Sequence, residues 1–536
     1  MRLMQHLWIW FLASLYCPSN MSRLLPALLL MMASATSAAA DFTFSNQQGP
    51  HGVGLTVSQR YDYSRVYKLR VDPITGAATQ GERARPMQVL SWYPTRRQGK
   101  PVTYRQYMET IATEVNFTAD AQAVRSATDI WLASQGADPS HGALAKPMWA
   151  VRDAPALPGK YPVVIYAPSF SASAAENVDL CEYLASQGYV VLSSASLGAR
   201  TRWMTVDLEG LETQAADIAF LIATAQAMPQ ADMNRIAVVG FSWGGLANVL
   251  AAARDDRIGA LVSLDGSLRG FPEFVNGGKD AAKYVTPARL AVPLLYVARR
   301  PDTLESINQR QIDTSFNLMN QMKYSDVYIV TMHPMTHPDF SSIHLRFAPE
   351  RAFEEYSRDE AALAHSWTAR YVHQFLDAYL KNDTAARTFM NNSAAANKVP
   401  RHMLTLDVRR GDDTPPTLET FVRTLGKEGF ARAIPTYDAL HAKSATFRLE
   451  DSQINSWGYQ LLRGGRGKDA VEIFKLGVHV YPDNANLFDS LAEAQEKTGD
   501  RDQAIRNYRR SLELNPKNGN AVERLKALGS TVGAQR

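Results

Sequence analysis

From Tyr161 onward, short and almost wholly apolar runs alternate with amphipathic helical patterns as far as about residue 381. Strands buried on both faces read as continuous apolar runs, and a strand–helix alternation predicts a mostly parallel sheet with helices on both sides. Such sheets bind ligands at the carboxyl ends of their strands, so polar residues at those ends are the functional candidates. The predicted strands are 161–168, 189–196, 235–240, 257–265, 292–298 and 326–332.

The segment before this alternation predicts an antiparallel opening to the same sheet, with strands at 53–70 and 86–93. Residues 100–158 form a long mixed insertion with helical stretches around 104–115 and 120–135. We expect this insertion and the loop-rich segment 268–290 to shape the binding pocket. The helices that cover the sheet are predicted at 176–188, 211–225, 243–253, 304–320 and 359–381.

One pentapeptide sits where a predicted strand meets a predicted helix: Gly240-Phe241-Ser242-Trp243-Gly244, followed by Gly245. The pattern G-x-S-x-G at a strand-to-helix turn is typical of a nucleophilic serine held in a strained backbone conformation. The backbone N–H of Trp243 would point into the same space from the helix N-terminus, where it favours a developing anion. Ser242 is therefore the predicted nucleophile.

A serine hydroxyl needs a base to take its proton, and the loop after the last strand supplies two histidines, His333 and His337. His337 is preferred because its extra distance from the strand end gives it reach into the cleft, and His333 is the alternative. Their four-residue spacing would suit a metal pair on a helix. Pro334 and Pro338 oppose a helix there, so no metal site is expected.

A carboxylate should hold the histidine in the required tautomer. Asp265 closes its strand directly and is the preferred acid, whereas Asp302 follows the next strand and stands beside Arg299 and Arg300. A second oxyanion donor is expected in the loop after residues 161–168. No His-Gly-Gly run occurs there, so the backbone N–H of Phe170, or that of Ser169, is the candidate.

At these residues the chain resembles the α/β-hydrolase superfamily, and within it the branch of platelet-activating-factor acetylhydrolase-like and dienelactone-hydrolase-like proteins. The resemblance spans roughly residues 50–380. It implies carboxylic-ester hydrolysis through an acyl-serine intermediate, and in the acetylhydrolase-like branch the position of the acid supports Asp265. Dienelactone hydrolases proper use a cysteine, so Ser242 does not imply their specific reaction. The matching pieces are residues 85–94, 240–245, 263–265 and 337–342.

The C-terminal region carries a repeat of 34 residues between 451 and 518, in which Ala470 recurs as Ala504, Phe474 as Tyr508 and Pro482 as Pro516. This resembles the tetratricopeptide repeat at its characteristic length, and a degenerate unit is predicted before it at 416–445. Two interpretations stay open for this region: it binds a peptide or partner protein, or it packs on the hydrolase or pairs two chains. The predicted domains are 41–382 and 416–536, joined by a linker at 383–415.

Two apolar stretches open the chain, and the second, from Met21, has the layout of a signal peptide: Arg23, an apolar run, and small residues up to Ala40. We expect cleavage after Ala40, Met21 as the true start, residues 1–40 as the signal region, and a periplasmic or secreted protein. The alternative is one membrane anchor formed by both stretches. Cys17 follows a tyrosine rather than a small residue, so lipid attachment is not expected.

Composition excludes other classes of function. The formal net charge is +4 without a basic block, which gives no case for nucleic acid. After cleavage only Cys181 remains, so no internal disulfide is expected, and its helical pattern favours a buried apolar role over a nucleophilic one.

The leading hypothesis is an exported serine esterase that acts on a small-molecule ester and needs no cofactor. The alternatives are an amidase or peptidase with the same mechanism, and an exported repeat-domain scaffold with an inactive hydrolase core.

Overall fold

The computed structural model describes residues 42–530 except 72–74, 139, 270–284, 286–289, 304, 307, 309–318, 321, 412–414 and 446. The signal region predicted at 1–40 lies outside the described residues, as does most of the segment 268–290 and of the helix predicted at 304–320. Within the described residues, no helix has a stretch both long and apolar enough to cross a bilayer.

Eleven strands of the described residues form one sheet in the order β11-β10-β9-β8-β7-β5-β6-β2-β1-β4-β3. Strands β6, β5, β7, β8, β9 and β10 are parallel neighbours in that order, which confirms the predicted parallel centre. The predicted opening is also present, since β1 pairs antiparallel with β2 and β2 with β6. The strands are β1 Gly52–Val66, β2 Ala84–Thr95, β3 Pro101–Thr103, β4 Pro147–Arg152, β5 Tyr161–Ala167, β6 Val190–Ser194, β7 Ala231–Phe241, β8 Ile258–Leu264, β9 Leu294–Ala298, β10 Val327–Met332 and β11 Leu404–Arg409.

Helices cover both faces of this sheet. Leu184 and Phe375, from the third and seventh helices, belong to the apolar cluster on one face, and Ile218 and Leu246, from the fourth and fifth, to the cluster on the other. This two-sided burial explains why the central strands are almost wholly apolar. The helices are α1 Tyr104–Ile111, α2 Ala121–Ser134, α3 Val178–Ser186, α4 Leu208–Gln226, α5 Trp243–Ala252, α6 Ser342–Phe347, α7 Arg358–Leu380 and α8 Thr384–Asn391.

The insertion at 100–158 differs from its prediction. It carries two strands as well as α1 and α2: β4 pairs parallel with β1, and β3 pairs antiparallel with β4. The insertion therefore mainly lengthens the sheet at the β1 edge, away from Ser242, which follows β7. Its apolar residues alternate over stretches of only three to six residues, too short to be distinguished from loop in the sequence.

The linker predicted at 383–415 is wrong. Residues 384–391 form α8, and β11 pairs antiparallel with β10 along its whole length, from Val327↔Arg409 to Met332↔Leu404. The strand β11 was not predicted because the surrounding segment is rich in Ala, Asn and Pro. Its pairing partner, β10, lies about eighty residues earlier in the chain. The sheet domain therefore extends to Arg409.

The C-terminal region consists of helical hairpins. The helices are α9 Leu418–Glu428, α10 Ala433–Lys443, α11 Asp451–Arg463, α12 Gly467–Val480, α13 Ala485–Lys497, α14 Arg501–Leu514 and α15 Gly519–Ala527. Both ends of α13 lie 34 residues after those of α11, and the same holds for α14 and α12, so the hairpin repeats with the period seen in the sequence. Small residues allow the two helices of a hairpin to pack closely. A Cβ on Gly458 of α11, for example, would meet the ring of Phe474 on α12.

Candidate active site

Ser242 lies on the turn between β7 and α5, at the carboxyl end of the central strand. Its backbone has φ 54° and ψ −116°, a left-handed conformation that non-glycine residues rarely adopt. Three backbone hydrogen bonds hold it there: its N–H donates to Leu264 O (3.0 Å), and its C=O accepts from Gly245 N (3.0 Å) and from Ser267 N (3.1 Å). The Ser242 hydroxyl is thus fixed at the carboxyl ends of the parallel strands, which is where such sheets bind ligands.

Close backbone approach explains the glycines around Ser242. A Cβ on Gly240 would meet the carbonyl of Gly244, and a Cβ on Gly244 would meet the carbonyl oxygens of Ala167 and Pro168. These neighbours are backbone atoms that cannot rotate away. The motif is therefore required by the packing of this turn as well as by its conformation.

His337 reaches Ser242 from the loop after β10. Its Nε2 lies 2.9 Å from Ser242 Oγ, and its Nδ1 lies 2.5 Å from Asp265 Oδ2. The ring packs against Phe241 with centroids 5.1 Å apart. The side chain of His337 is 39 % exposed and that of Asp265 only 2 %, so the imidazole can be reached from solvent while the carboxylate behind it is shielded.

Asp265 follows β8 directly, and Arg299 at the end of β9 holds it. The Arg299 backbone N–H donates to Asp265 Oδ1 (3.1 Å) and its Nη1 to Oδ2 (2.8 Å). Burial alone would raise the pKa of Asp265, but the hydrogen bond and charge of His337 and the charge of Arg299 outweigh it and lower the pKa to about 2. The carboxylate therefore stays ionised and accepts the Nδ1–H of His337.

The two alternative residues lie elsewhere. Asp302 accepts a hydrogen bond from Nη2 of the same Arg299 (3.0 Å), whereas Asp265 accepts from its Nη1. His333 stands at the end of β10, where its backbone N–H donates to Met403 O (3.0 Å). Within the part of the chain that the structure describes, His337 alone has a ring nitrogen at hydrogen-bonding distance from Ser242 Oγ.

The two candidate oxyanion donors are neighbours. Trp243 begins α5, Phe170 lies in the loop after β5, and their rings meet edge to face with centroids 5.8 Å apart. Ser169, the alternative donor, already gives its backbone N–H to Glu176 Oε2 (2.9 Å). Of the two candidates for the second oxyanion donor, Phe170 therefore remains, because the backbone N–H of Ser169 is already used.

Three residues near the site were missed in the sequence. Arg299, which the sequence places near Asp302, donates hydrogen bonds to both Asp265 and Asp302. Glu176, 5 % exposed, accepts hydrogen bonds from the loop that carries Phe170. Asp339, 1 % exposed, braces the His337 loop by accepting from the N–H and hydroxyl of Thr336 (both 2.6 Å). Only the position of Glu176, directly after the run of small residues at 171–175, could have drawn attention to it.

Cys181 plays no part in this arrangement. It lies on α3 within the apolar cluster and is fully buried, and burial raises the pKa of its thiol well above the ordinary value. That environment keeps the sulfur protonated and a poor nucleophile.

Comparison with known proteins gives a family match and likenesses to solved structures. The model of the dienelactone hydrolase family matches residues 148–376, a range that includes Ser242, Asp265 and His337. A solved structure of a ferulic acid esterase from Streptomyces cinnamoneus is similar at 21 % identity and a TM-score of 0.45, covering 64 % of this chain and 94 % of that one. No curated protein matches the chain. Residues 148–376 are thus similar to the dienelactone hydrolase family, which belongs to the α/β-hydrolase superfamily.

Proposed function

We propose that this protein is an exported serine esterase, in which Ser242, His337 and Asp265 form a catalytic triad that cleaves a small-molecule carboxylic ester through an acyl-serine intermediate. The observation that carries the proposal is the unbroken hydrogen-bonded path from Asp265 through His337 to Ser242 Oγ. The family match supports the coarser conclusion that the domain is an ester hydrolase.

The chemistry follows from the contacts. His337 Nε2 takes the proton of Ser242 as Oγ attacks the ester carbonyl, and the carboxylate of Asp265 stabilises the imidazolium that forms. The backbone N–H groups of Trp243 and Phe170 stabilise the negative oxygen of the tetrahedral intermediate. The imidazolium then protonates the departing alcohol. Water, deprotonated by the same ring, attacks the acyl-serine and releases the acid.

The helical region is proposed to be a tetratricopeptide-type array that binds a peptide or protein, or pairs two chains. The 34-residue offset of both helices of the hairpin supports this assignment. Export to the periplasm or outside the cell is proposed from the signal-like segment at 21–40, which leaves the mature chain without a membrane anchor.

A chain-length series of p-nitrophenyl esters, compared with the matching p-nitroanilides, tests the reaction on the purified mature protein. We expect the esters to be cleaved much faster than the anilides, and Ser242→Ala to lower kcat by about 10⁴-fold or more. Equal turnover of anilides would favour an amidase. Ester cleavage that survives in Ser242→Ala would contradict the proposed nucleophile.

A further inference from the structure

Glu176 is a buried acid beside the candidate active site that the triad does not use. It lies two residues before the first residue of α3 and is 5 % exposed. Its carboxylate accepts from the Ser169 N–H (2.9 Å), the Ser169 hydroxyl and the Tyr166 hydroxyl (3.2 Å). Among the described residues it has no lysine or arginine partner. A carboxylate in such a place loses its hydration, and two of its three hydrogen bonds go to one loop residue.

That loop residue precedes the candidate oxyanion donor. The C=O of Ser169 accepts from Ala172 N (3.1 Å), and the N–H of Phe170 belongs to the same planar trans peptide, so it points the opposite way. Ser169 is thus held by Glu176 at its N–H and hydroxyl and by Ala172 at its C=O. The direction of the Phe170 N–H depends on both contacts.

The same segment also holds the loop that carries the base. Ser342, at the start of α6, donates its hydroxyl to Glu176 O (3.1 Å) and its N–H to Asn177 Oδ1 (3.0 Å). The Asn177 amide donates to Phe340 O (2.7 Å) and to the Tyr166 hydroxyl (2.6 Å). Residues 176–177 therefore join the oxyanion loop to the loop that follows His337.

We propose that Glu176 is a positioning residue for ester hydrolysis: its carboxylate fixes the loop at 168–172 so that the Phe170 N–H faces the oxygen of the carbonyl group whose carbon Ser242 attacks. This inference rests on the proposed function. Glu176 does not contact the substrate in this proposal. It affects hydrolysis through Ser169 and the peptide bond that follows Ser169.

The chain offers a matched control on α3, six residues after Glu176. Glu182 is 1 % exposed and accepts from the Tyr107 hydroxyl (2.7 Å) and from the backbone N–H groups of Trp149 (2.7 Å) and Ala150 (3.2 Å). Burial raises the pKa of both acids, to about 7 in each case. Glu182, however, holds β4, which is next to the edge strand β3 and away from Ser242.

The experiment compares Glu176→Ala, Glu176→Gln, Glu182→Ala and Glu182→Gln in the full mature chain. Glu176→Ala should lower kcat by about 10- to 100-fold with a nearly unchanged KM, since an oxyanion contact strengthens in the transition state. Glu176→Gln keeps one acceptor oxygen and should recover part of kcat. Both Glu182 variants should keep kcat close to wild type, even where their melting temperature falls.

Amide hydrogen exchange provides a readout independent of turnover. Peptides that span 168–172 should exchange faster in Glu176→Ala than in wild type, and at the wild-type rate in Glu182→Ala. The proposal is overturned if Glu176→Ala keeps wild-type kcat, if it loses no more kcat than Glu182→Ala, or if exchange at 168–172 is unchanged. If the wild type shows no Ser242-dependent hydrolysis, the proposed function fails, and unchanged exchange would separately overturn the positioning claim.

Discussion

The catalytic end of the sheet and the C-terminal hairpins differ in how their backbones are held. Ser171, Ser242 and Asp265 follow strands β5, β7 and β8 with φ values of 55°, 54° and 40°. In the described hairpin residues, positive φ occurs only at glycines. A non-glycine residue in that region costs of order 1–3 kcal/mol and persists only where its surroundings enforce it.

The catalytic end of the sheet is thus built to fix individual atoms, whereas the hairpins are built by regular packing. At the sheet end, backbone carbonyls, buried acids and close glycine contacts fix a few atoms in strained positions. In the hairpins, small and aromatic side chains pack at a fixed spacing, and the backbone adopts ordinary helical geometry. Substitutions should therefore affect turnover in the first region and mainly stability in the second.

The largest effect is expected at the acid behind His337. Asp265→Asn removes the acceptor that holds the imidazole tautomer and should lower kcat by about 10⁴-fold. Asp302→Asn is the matched control, because Asp302 binds the same Arg299 without contacting His337. Steady-state ester kinetics distinguish the two. A larger loss for Asp302→Asn than for Asp265→Asn would reverse the assignment of the acid.

A second effect compares two glycines, one in each region. Gly240→Ala places a methyl group against the Gly244 carbonyl and should displace the nucleophile turn, lowering kcat by about 10²-fold or more. Gly458→Ala meets the ring of Phe474, a side chain that can move, and should cost roughly 1–3 kcal/mol of stability. Its kcat should stay at the wild-type level, as checked by paired kinetics and denaturant unfolding. Equal losses of kcat would remove the distinction between the regions.

The sheet domain should also lose stability in mild acid through a buried histidine. Burial, assisted by the charge of Arg346 and opposed by Asp179, lowers the pKa of His365 from 6.5 to about 4. As the pH falls, His365 is protonated in the unfolded chain before it is protonated in the folded protein. The contribution of the neutral His365 to stability is therefore complete above pH 6.5 and is lost as the pH falls towards 4.

His365→Gln should reduce the slope of the unfolding free energy between those pH values by up to about 1.4 kcal/mol per pH unit. Denaturant unfolding at several pH values measures it. An unchanged slope in the variant would show that another group causes the acid sensitivity.

The smallest effect is expected between neighbouring hairpins. The Tyr459 hydroxyl on α11 donates to Glu493 on α13 (2.8 Å), one repeat length further along the chain. Tyr459→Phe removes this partly exposed bond and should lower the unfolding free energy by about 0.5–1 kcal/mol without changing kcat. A change in turnover would mean that the hairpins are coupled to the catalytic end.

Local patterns in the sequence located the parallel strands and the turn at Ser242, because apolar runs and G-x-S-x-G express constraints between near neighbours. The loop after β10 could be identified as the source of the base, but two histidines remained possible. Only the folded loop brings His337, rather than His333, to Ser242.

Other features depend on contacts between distant segments. β11 pairs with a strand about eighty residues away, and Arg299 contacts Asp265 across two strand ends. Nothing in the composition around these residues records their partners. The linker prediction failed for this reason. A short strand of mixed polarity such as β11 forms because it pairs with a neighbouring strand, and its own sequence does not show that partner.

The central claim is that Ser242 is a nucleophile activated by His337. A fluorophosphonate probe forms a phosphorus–oxygen bond to such a serine as fluoride leaves, and peptide mass spectrometry locates the adduct. We predict a single adduct on Ser242, formed at the wild-type rate in His333→Ala and about 10³-fold or more slowly in His337→Ala. An adduct on another residue, or undiminished labelling of His337→Ala, would contradict the account.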